Sequence, residues 1–355
     1  MSDGQEIRVL VTGGAGFIGC AVSNLLAPNV DRFVAFDKLD PQVHASGERP
    51  SDLNAHAALV IGDVTDPVAV DTVLSDLKPT HVLHLAAETG TGQSLTEATR
   101  HGMANVIGTT QLCDAFGRTN VVPKRILLSS SRAVYGEGAW KRSDGSVFYP
   151  GQRPHSQLAS QQWDFPDATS LPSEFNVTTP HPTSVYGATK LAQEHVLSAW
   201  CGAYDVPLSI LRLQNVYGPG QSLINSYTGI VSLFSQIAAD GKAIPLYEDG
   251  NVTRDFVYID DVTRAIADVL LSSRYGLRNE FDIGSGQTTT IKELASTIAE
   301  YHGAPAPEVT AAFRDGDVRH ASCCIERTTS QLAWRPEWSL ADGIGALQRW
   351  IADQN

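Results

Sequence analysis

The stretch Val11-Thr12-Gly13-Gly14-Ala15-Gly16-Phe17-Ile18-Gly19 decides how this chain must fold. It lies between an apolar, β-branched run at residues 7–12 and a segment, 16–26, whose apolar positions recur at helical spacing. Strand, glycine turn and helix in that order form a site for an anionic ligand. Glycines let the backbone turn tightly and approach phosphate oxygens, while the helix start offers free N–H groups and the positive end of its dipole. Gly13, Gly16 and Gly19 give the spacing GxxGxxG rather than the more familiar GxGxxG.

The same alternation continues outward. Apolar runs at 33–36 and 58–61 end at Asp37 and at Asp63-Val64, Pro67–Leu77 reads as a helix, and 81–87 is a further short apolar segment. A long helix is expected over 95–116, then a strand over 125–130 that ends in a serine cluster. Strands and helices alternating at this spacing predict βαβ units and a parallel sheet. The pattern breaks over 137–184, which holds Pro150, Pro154, Pro166, Pro172, Pro180 and Pro182. So long a loop is either a functional excursion or locally folded. Periodicity resumes with a helix over 185–204 and a strand over Leu208–Leu213, and helices are expected at 227–239, 291–301 and 340–351. The reading is α/β: a Rossmann-type doubly wound parallel sheet with a smaller α/β substrate-binding lobe. Residues 1–185 form the nucleotide-binding domain, with the excursion inside it. Residues 186–355 complete the sheet and supply the lobe, with an interleaved boundary.

Composition narrows the function. With 355 residues, 42% hydrophobic and 18% charged, the chain is globular rather than disordered. A net charge of −13 disfavours nucleic acid and anionic membranes as partners. The cysteines, Cys20, Cys113, Cys201, Cys323 and Cys324, are odd in number and form no CxxC pair. That points to a reducing, cytoplasmic setting without structural zinc. The polar start shows no signal peptide, and no apolar run approaches the ~18 residues of a membrane span.

Several residues carry chemistry. A carboxylate at Asp37 would accept hydrogen bonds from the adenosine ribose and repel a 2′-phosphate, which favours NAD over NADP; Lys38, directly after it, blurs that preference. Asp63 and Val64 would flank the adenine. In Tyr186-Gly187-Ala188-Thr189-Lys190 the tyrosine and lysine project from one helix face. An ammonium beside the phenol would lower its pKa from about 10 and make it a general base. Ser129-Ser130-Ser131 ends a strand where a hydroxyl can bond the oxygen that Tyr186 deprotonates.

Taken together, the glycine loop, the serine cluster and YxxxK resemble the extended short-chain dehydrogenase/reductases, the sugar-nucleotide epimerases, dehydratases and decarboxylases. The resemblance runs from Val9 to about Arg319. It implies NAD as cofactor, a nucleotide-diphosphate sugar as substrate and a homodimer built on the 95–116 and 186–204 helices. By the pattern S-S-x-x-x-V-Y-G, Ser131 is the catalytic hydroxyl and Ser130 lines the nicotinamide side. Leu85-Ala86-Ala87 packs under the cofactor and Asn105 braces the site. Asn215, Arg254 and Arg319 fall in blocks that meet the substrate diphosphate. Dehydratases carry Asp-Glu after the catalytic hydroxyl, and decarboxylating relatives carry Glu at the second position. This chain has Arg132-Ala133. What remains is 4-epimerisation through a transient ketone with tightly bound NAD. Ser130 to Gly138, the excursion, and Gln214 to Leu223 through Tyr227 resemble the epimerases that act on dTDP-L-rhamnose. The segment from Glu88 through Thr89, Thr91, Gly92 and Gln93 to Ser94 would then lie against the hexose, with Arg132, Gln221 and Tyr227 as further contacts. The segment 178–182 lacks the usual acidic residue, so UDP-hexose or UDP-glucuronate 4-epimerases stay open. So do a one-way reductase or dehydrogenase, which would consume or release NADH, and a non-catalytic NAD-sensing scaffold.

Overall fold

A computed structural model of the chain describes residues 6–44, 46–222 and 229–354. Its centre is a seven-stranded sheet. Strands β1 (Arg8–Thr12), β2 (Arg32–Asp37), β3 (Ala57–Ile61), β4 (His81–His84), β5 (Arg125–Ser131), β6 (Leu208–Leu213) and β7 (Arg278–Ile283) stand in the order β7-β6-β5-β4-β1-β2-β3. Every pairing is parallel. The near-continuous apolar strands suit a parallel sheet because helices cover both of its faces.

On one face α1 (Phe17–Leu26) packs, with Cys20, Val22 and Leu26 in the core. The other face carries α2 (Pro67–Leu77), α3 (Gly108–Thr119) and α4 (Val185–Ala203), through Leu74, Leu112, Phe116 and Leu197. The helices start where capping chemistry dictates. Asp66 accepts from the Val68 amide at 2.9 Å with Pro67 in the first turn of α2, and Ser184 accepts from the Gly187 amide at 3.0 Å to open α4. Beyond β6 the chain adds α5 (Ile230–Ala239), α6 (Ile259–Leu271), α7 (Ile291–His302) and α8 (Leu340–Gln354). Helix α6 returns to the α1 face of the sheet, while Phe234, Leu246, Leu294 and Leu347 build a separate smaller core.

One element differs from the sequence reading, and a second resolves an alternative left open there. The expected 95–116 helix is broken. Short helices at Gln93–Thr96 and Ala98–His101 lead into a π-helical stretch, Gly102–Ile107, before α3 begins. Such wide turns gather at functional sites, and this one carries Asn105. The 137–184 excursion is locally folded. Trp140–Arg142 pairs antiparallel with Val147–Phe148 and Ala168–Ser170, and a short helix spans His155–Ala159. Among the described residues, no helix is long and apolar enough to cross a membrane, and no group of three or more His, Cys, Asp or Glu could hold a metal ion.

Candidate active site

A cleft of about 500 Å³ opens along the carboxyl ends of the central strands, where ligands bind in open α/β sheets. Gly13, Gly16, Phe17, Ile18 and Gly19 form one wall, and Asp37, Asp63 and Val64 continue it. Gly13 sits at φ +67°, and a Cβ there would lie 2.7 Å from the Ala86 amide nitrogen. Only glycine lets the loop rest against the segment after β4. The Asp37 carboxylate accepts from the Ala15 amide at 3.0 Å and the Leu39 amide at 2.9 Å, which fixes it at the strand end with lone pairs to spare.

Leu85, Ala86, Ala87, Ser129, Ser130, Ser131, Tyr186 and Lys190 line the same cleft. Ser131 ends β5 and caps the turn Arg132–Tyr135, accepting from the Ala133 amide at 3.2 Å. Its hydroxyl lies beside the Tyr186 phenol and lowers the phenol's pKa. This contact depends on Gly187, where a Cβ would stand 2.4 Å from the Ala133 carbonyl oxygen. The absent side chain lets α4 touch the turn that carries Ser131. Ser130 is turned inward and donates to Glu194, which holds Arg212 at 2.9 and 2.6 Å. Asn105 lies beneath the cleft rather than in its wall. Its Oδ1 accepts from the Glu88 amide at 2.7 Å, and its Nδ2 donates to the Glu88 carbonyl and the Thr189 hydroxyl at 3.0 and 2.9 Å. It ties the loop after β4 to the helix of Tyr186 and Lys190. His84, buried below, bridges Thr12 and Thr109, and burial lowers its pKa to about 3, so it stays neutral.

The electrostatics correct one expectation. Burial raises the Tyr186 pKa above its ordinary value, opposed by the Ser131 hydrogen bond and the Arg132 charge. Lys190 is not among the groups that lower it. Burial brings Lys190 itself down to about 7, and its ammonium forms no hydrogen bond within the described residues. Desolvation outweighs the neighbouring charges here. The residues fit NAD on this observation: an unpaired cation, a phenol and a serine hydroxyl converge at one end of a glycine-walled cleft.

The expected sugar contacts divide. Thr89 and Gln221 line the cleft. Thr91 and Gly92 lead into the Gln93–Thr96 helix. Asn215 begins a short strand, and its buried Oδ1 has no partner among the described residues. Arg132 likewise keeps an unpartnered, buried Nη1 beside Tyr186. Arg254 is held by Asp317 at 3.0 Å and by the Thr253 carbonyl at 2.8 Å. Gln93 does not face a ligand: its amide is committed to Gln42 and Glu97. Arg319 is a correction too. Its guanidinium is buried among Asp164, Glu248 and Asp249 at 2.9, 3.0 and 2.7 Å, so no donor is left for a diphosphate. With Arg153, which bonds Glu248 at 2.8 Å, it pins the excursion to the smaller core. Tyr227 lies outside the described residues. Glu88, expected against the hexose, pairs instead with Lys38 and Arg100. Sequence spacing gave no sign of that pairing, nor of Glu194 behind Ser130.

A strand-end serine, a tyrosine and a lysine converging on a dinucleotide cleft define the short-chain dehydrogenase/reductase class. Residues 9–284 match the NAD dependent epimerase/dehydratase family, and the chain belongs to it. It is 60% identical over 352 residues to a dTDP-L-rhamnose 4-epimerase of Burkholderia thailandensis, covering 99% of this chain and 96% of the relative. Against a UDP-glucose 4-epimerase of Mycolicibacterium smegmatis the identity is 30%, covering 95% and 96% of the two chains. Among solved structures, the Thermus thermophilus UDP-glucose 4-epimerase in complex with NAD superposes with a TM-score of 0.78 at 28% identity, covering 98% of this chain and 99% of that one. The chain is an NAD-dependent nucleotide-sugar epimerase.

Proposed function

We propose that the chain interconverts dTDP-L-rhamnose and its C4 epimer, a 6-deoxy-L-talose nucleotide. The observation that carries the choice of sugar is the 60% identity, end to end, with the dTDP-L-rhamnose 4-epimerase. Bound NAD would take a hydride from the sugar carbon and return it to the opposite face. Tyr186 accepts the proton of the C4 hydroxyl and gives it back. Ser131, beside the phenol, turns toward the reacting oxygen and steadies it. Lys190 stands free to hold ribose hydroxyls and to favour the phenolate. Arg132-Ala133 supplies no acid–base pair for elimination, which fits epimerisation.

The division of labour follows the chain. Residues 1–185 hold the cofactor, and 186–355 complete the sheet and hold the nucleotide-sugar. The excursion, pinned by Arg153 and Arg319, covers the sugar. Five free cysteines suit a reducing cytoplasm. A homodimer accords with the exposed Leu95, Met103 and Ile107 and with the exposed Tyr204 at the end of α4. Sedimentation is expected to give twice the chain mass, and a monomer at micromolar concentration overturns the dimer.

The decisive experiment incubates purified protein, with no NAD added, with dTDP-L-rhamnose, UDP-glucose or UDP-glucuronate. Proton NMR follows the ring, and near-ultraviolet absorbance follows NADH. A new C4 epimer of dTDP-L-rhamnose without net NADH is expected. Turnover of a UDP-sugar alone would replace the substrate, and turnover only with stoichiometric NAD or NADH would replace the reaction.

A further inference from the structure

Beside Asp37, one side of the cleft is closed by four charged side chains. Lys38 Nζ lies 3.0 Å from Asp40 and 2.7 Å from Glu88. Arg100 reaches the same two carboxylates at 3.1 and 3.0 Å, and Glu97 at 3.2 Å. Lys38, Asp40, Glu88 and Arg100 all line the cleft. They come from three segments: the turn after β2, the loop after β4 and the Ala98–His101 helix. Their alignment is held from outside. Asn105 grips the Glu88 backbone on both sides, and the Gln42 and Gln93 amides pair reciprocally at 3.1 and 3.0 Å between the same two loops.

The position of these charges matters for the cofactor. A strand-end carboxylate such as Asp37 serves the ribose hydroxyls, whereas a lysine or arginine beside it is what accommodates a 2′-phosphate. This chain carries two such cations, yet both are committed. Lys38 and Arg100 face three carboxylates, Asp40, Glu88 and Glu97, so the cluster is net negative. Rebinding Lys38 to a phosphate would break two ion pairs now formed, and rebinding Arg100 would break three.

We propose that Glu88 and Asp40 are cofactor-specificity residues, which hold Lys38 and Arg100 away from the ribose and so exclude the 2′-phosphorylated dinucleotide. Asp37 alone leaves two cations within reach of that phosphate; the pair of acids removes them from play. The inference rests on the family's use of NAD and is independent of which sugar is turned over.

The test measures the concentrations of NADPH and of NADH that displace the resident cofactor from the holoenzyme, read by the fluorescence of the bound reduced form. The variants are Glu88→Gln, Asp40→Asn with Glu88→Gln, and that pair with Lys38→Met. The glutamine keeps the shape and a hydrogen bond but removes the charge. The NADPH-to-NADH preference is expected to move toward NADPH about threefold in the single variant and about tenfold in the double, the scale of one freed phosphate contact. Lys38→Met should reverse most of the gain. An unchanged ratio in the folded double variant overturns the proposal. Equal weakening of both nucleotides also overturns it, since the acids would then only prop the loops. If the double variant does not fold, the same ratio in Glu88→Gln decides.

Discussion

Tyr186 enters the cleft with its proton held more tightly than in water, because burial penalises phenolate more than Ser131 and Arg132 favour it. Its basicity is therefore conditional on what else is bound. Tyr186→Phe should lower kcat by about 10²–10⁴-fold, the range of general-base catalysis, while NAD copurifies at the wild-type ratio. Loss of NAD together with activity would mean that the phenol only supports binding. Lys190 has the opposite cost. Its pKa falls from 10.5 to about 7 on burial, so between those values the unfolded chain holds a proton that the folded chain has shed. Its contribution to stability therefore rises with pH across that window and is least below about 7. In the NAD-free protein, Lys190→Met should flatten this slope and leave stability near pH 6 higher, while activity is lost. A wild-type minus variant stability difference that does not change with pH would contradict the assignment.

At the scale of elements, the site is made by the approach of α4 to the turn after β5. Gly187 sets the distance, since a Cβ there would meet the Ala133 carbonyl at 2.4 Å, and backbone on both sides leaves no soft partner to yield. Gly187→Ala should cost about 1–3 kcal/mol from overpacking and separate Tyr186 from Ser131. Denaturant titration and kcat would both register it, with kcat falling at least tenfold. A stable variant of normal kcat would show that the contact is not needed. Behind this joint, Glu194 on α4 joins Ser130 of β5 to Arg212 of β6, and Arg212 also stacks over the Phe175 ring at 3.7 Å. The helix of Tyr186 and Lys190 is thus anchored to two strands and to the excursion.

For the whole molecule, the decisive joint is ionic. Arg319 and Arg153 gather Glu137, Asp164, Glu248 and Asp249 where the excursion meets the smaller core. Burial raises the Glu137 carboxyl to about 7 despite Arg153 beside it. Removing a buried cation from such a set strands its partners, and Arg319→Met should cost about 3–5 kcal/mol. Limited proteolysis should then cut within 137–184 while the sheet stays intact, and KM for the nucleotide-sugar should rise more than kcat falls. Wild-type resistance to proteolysis would show that the excursion stands without the ionic joint.

The chain's local chemistry was enough to anticipate the alternation of the central strands and helices and to pick out the glycine loop and Ser131, Tyr186 and Lys190, which line one cleft. Periodicity, caps and turns act over a few residues, so Pro67–Leu77 and Leu208–Leu213 fall where the apolar spacing puts them. The family likeness followed from the same short motifs. Which polar groups are free to meet a ligand is a different kind of property. Lys38 and Glu88 lie 50 positions apart, and Arg319 and Asp164 lie 155 apart. A side chain's availability depends on partners that only folding brings near, and desolvation depends on everything packed around it. Arg319 in a phosphate-like motif, Gln93 in a sugar-like stretch and Lys190 beside Tyr186 read one way as neighbours in sequence. The tertiary structure commits the first two to other partners, and burial raises the Tyr186 pKa with no lowering from the third, because burial and long-range pairing outweigh what adjacency suggests.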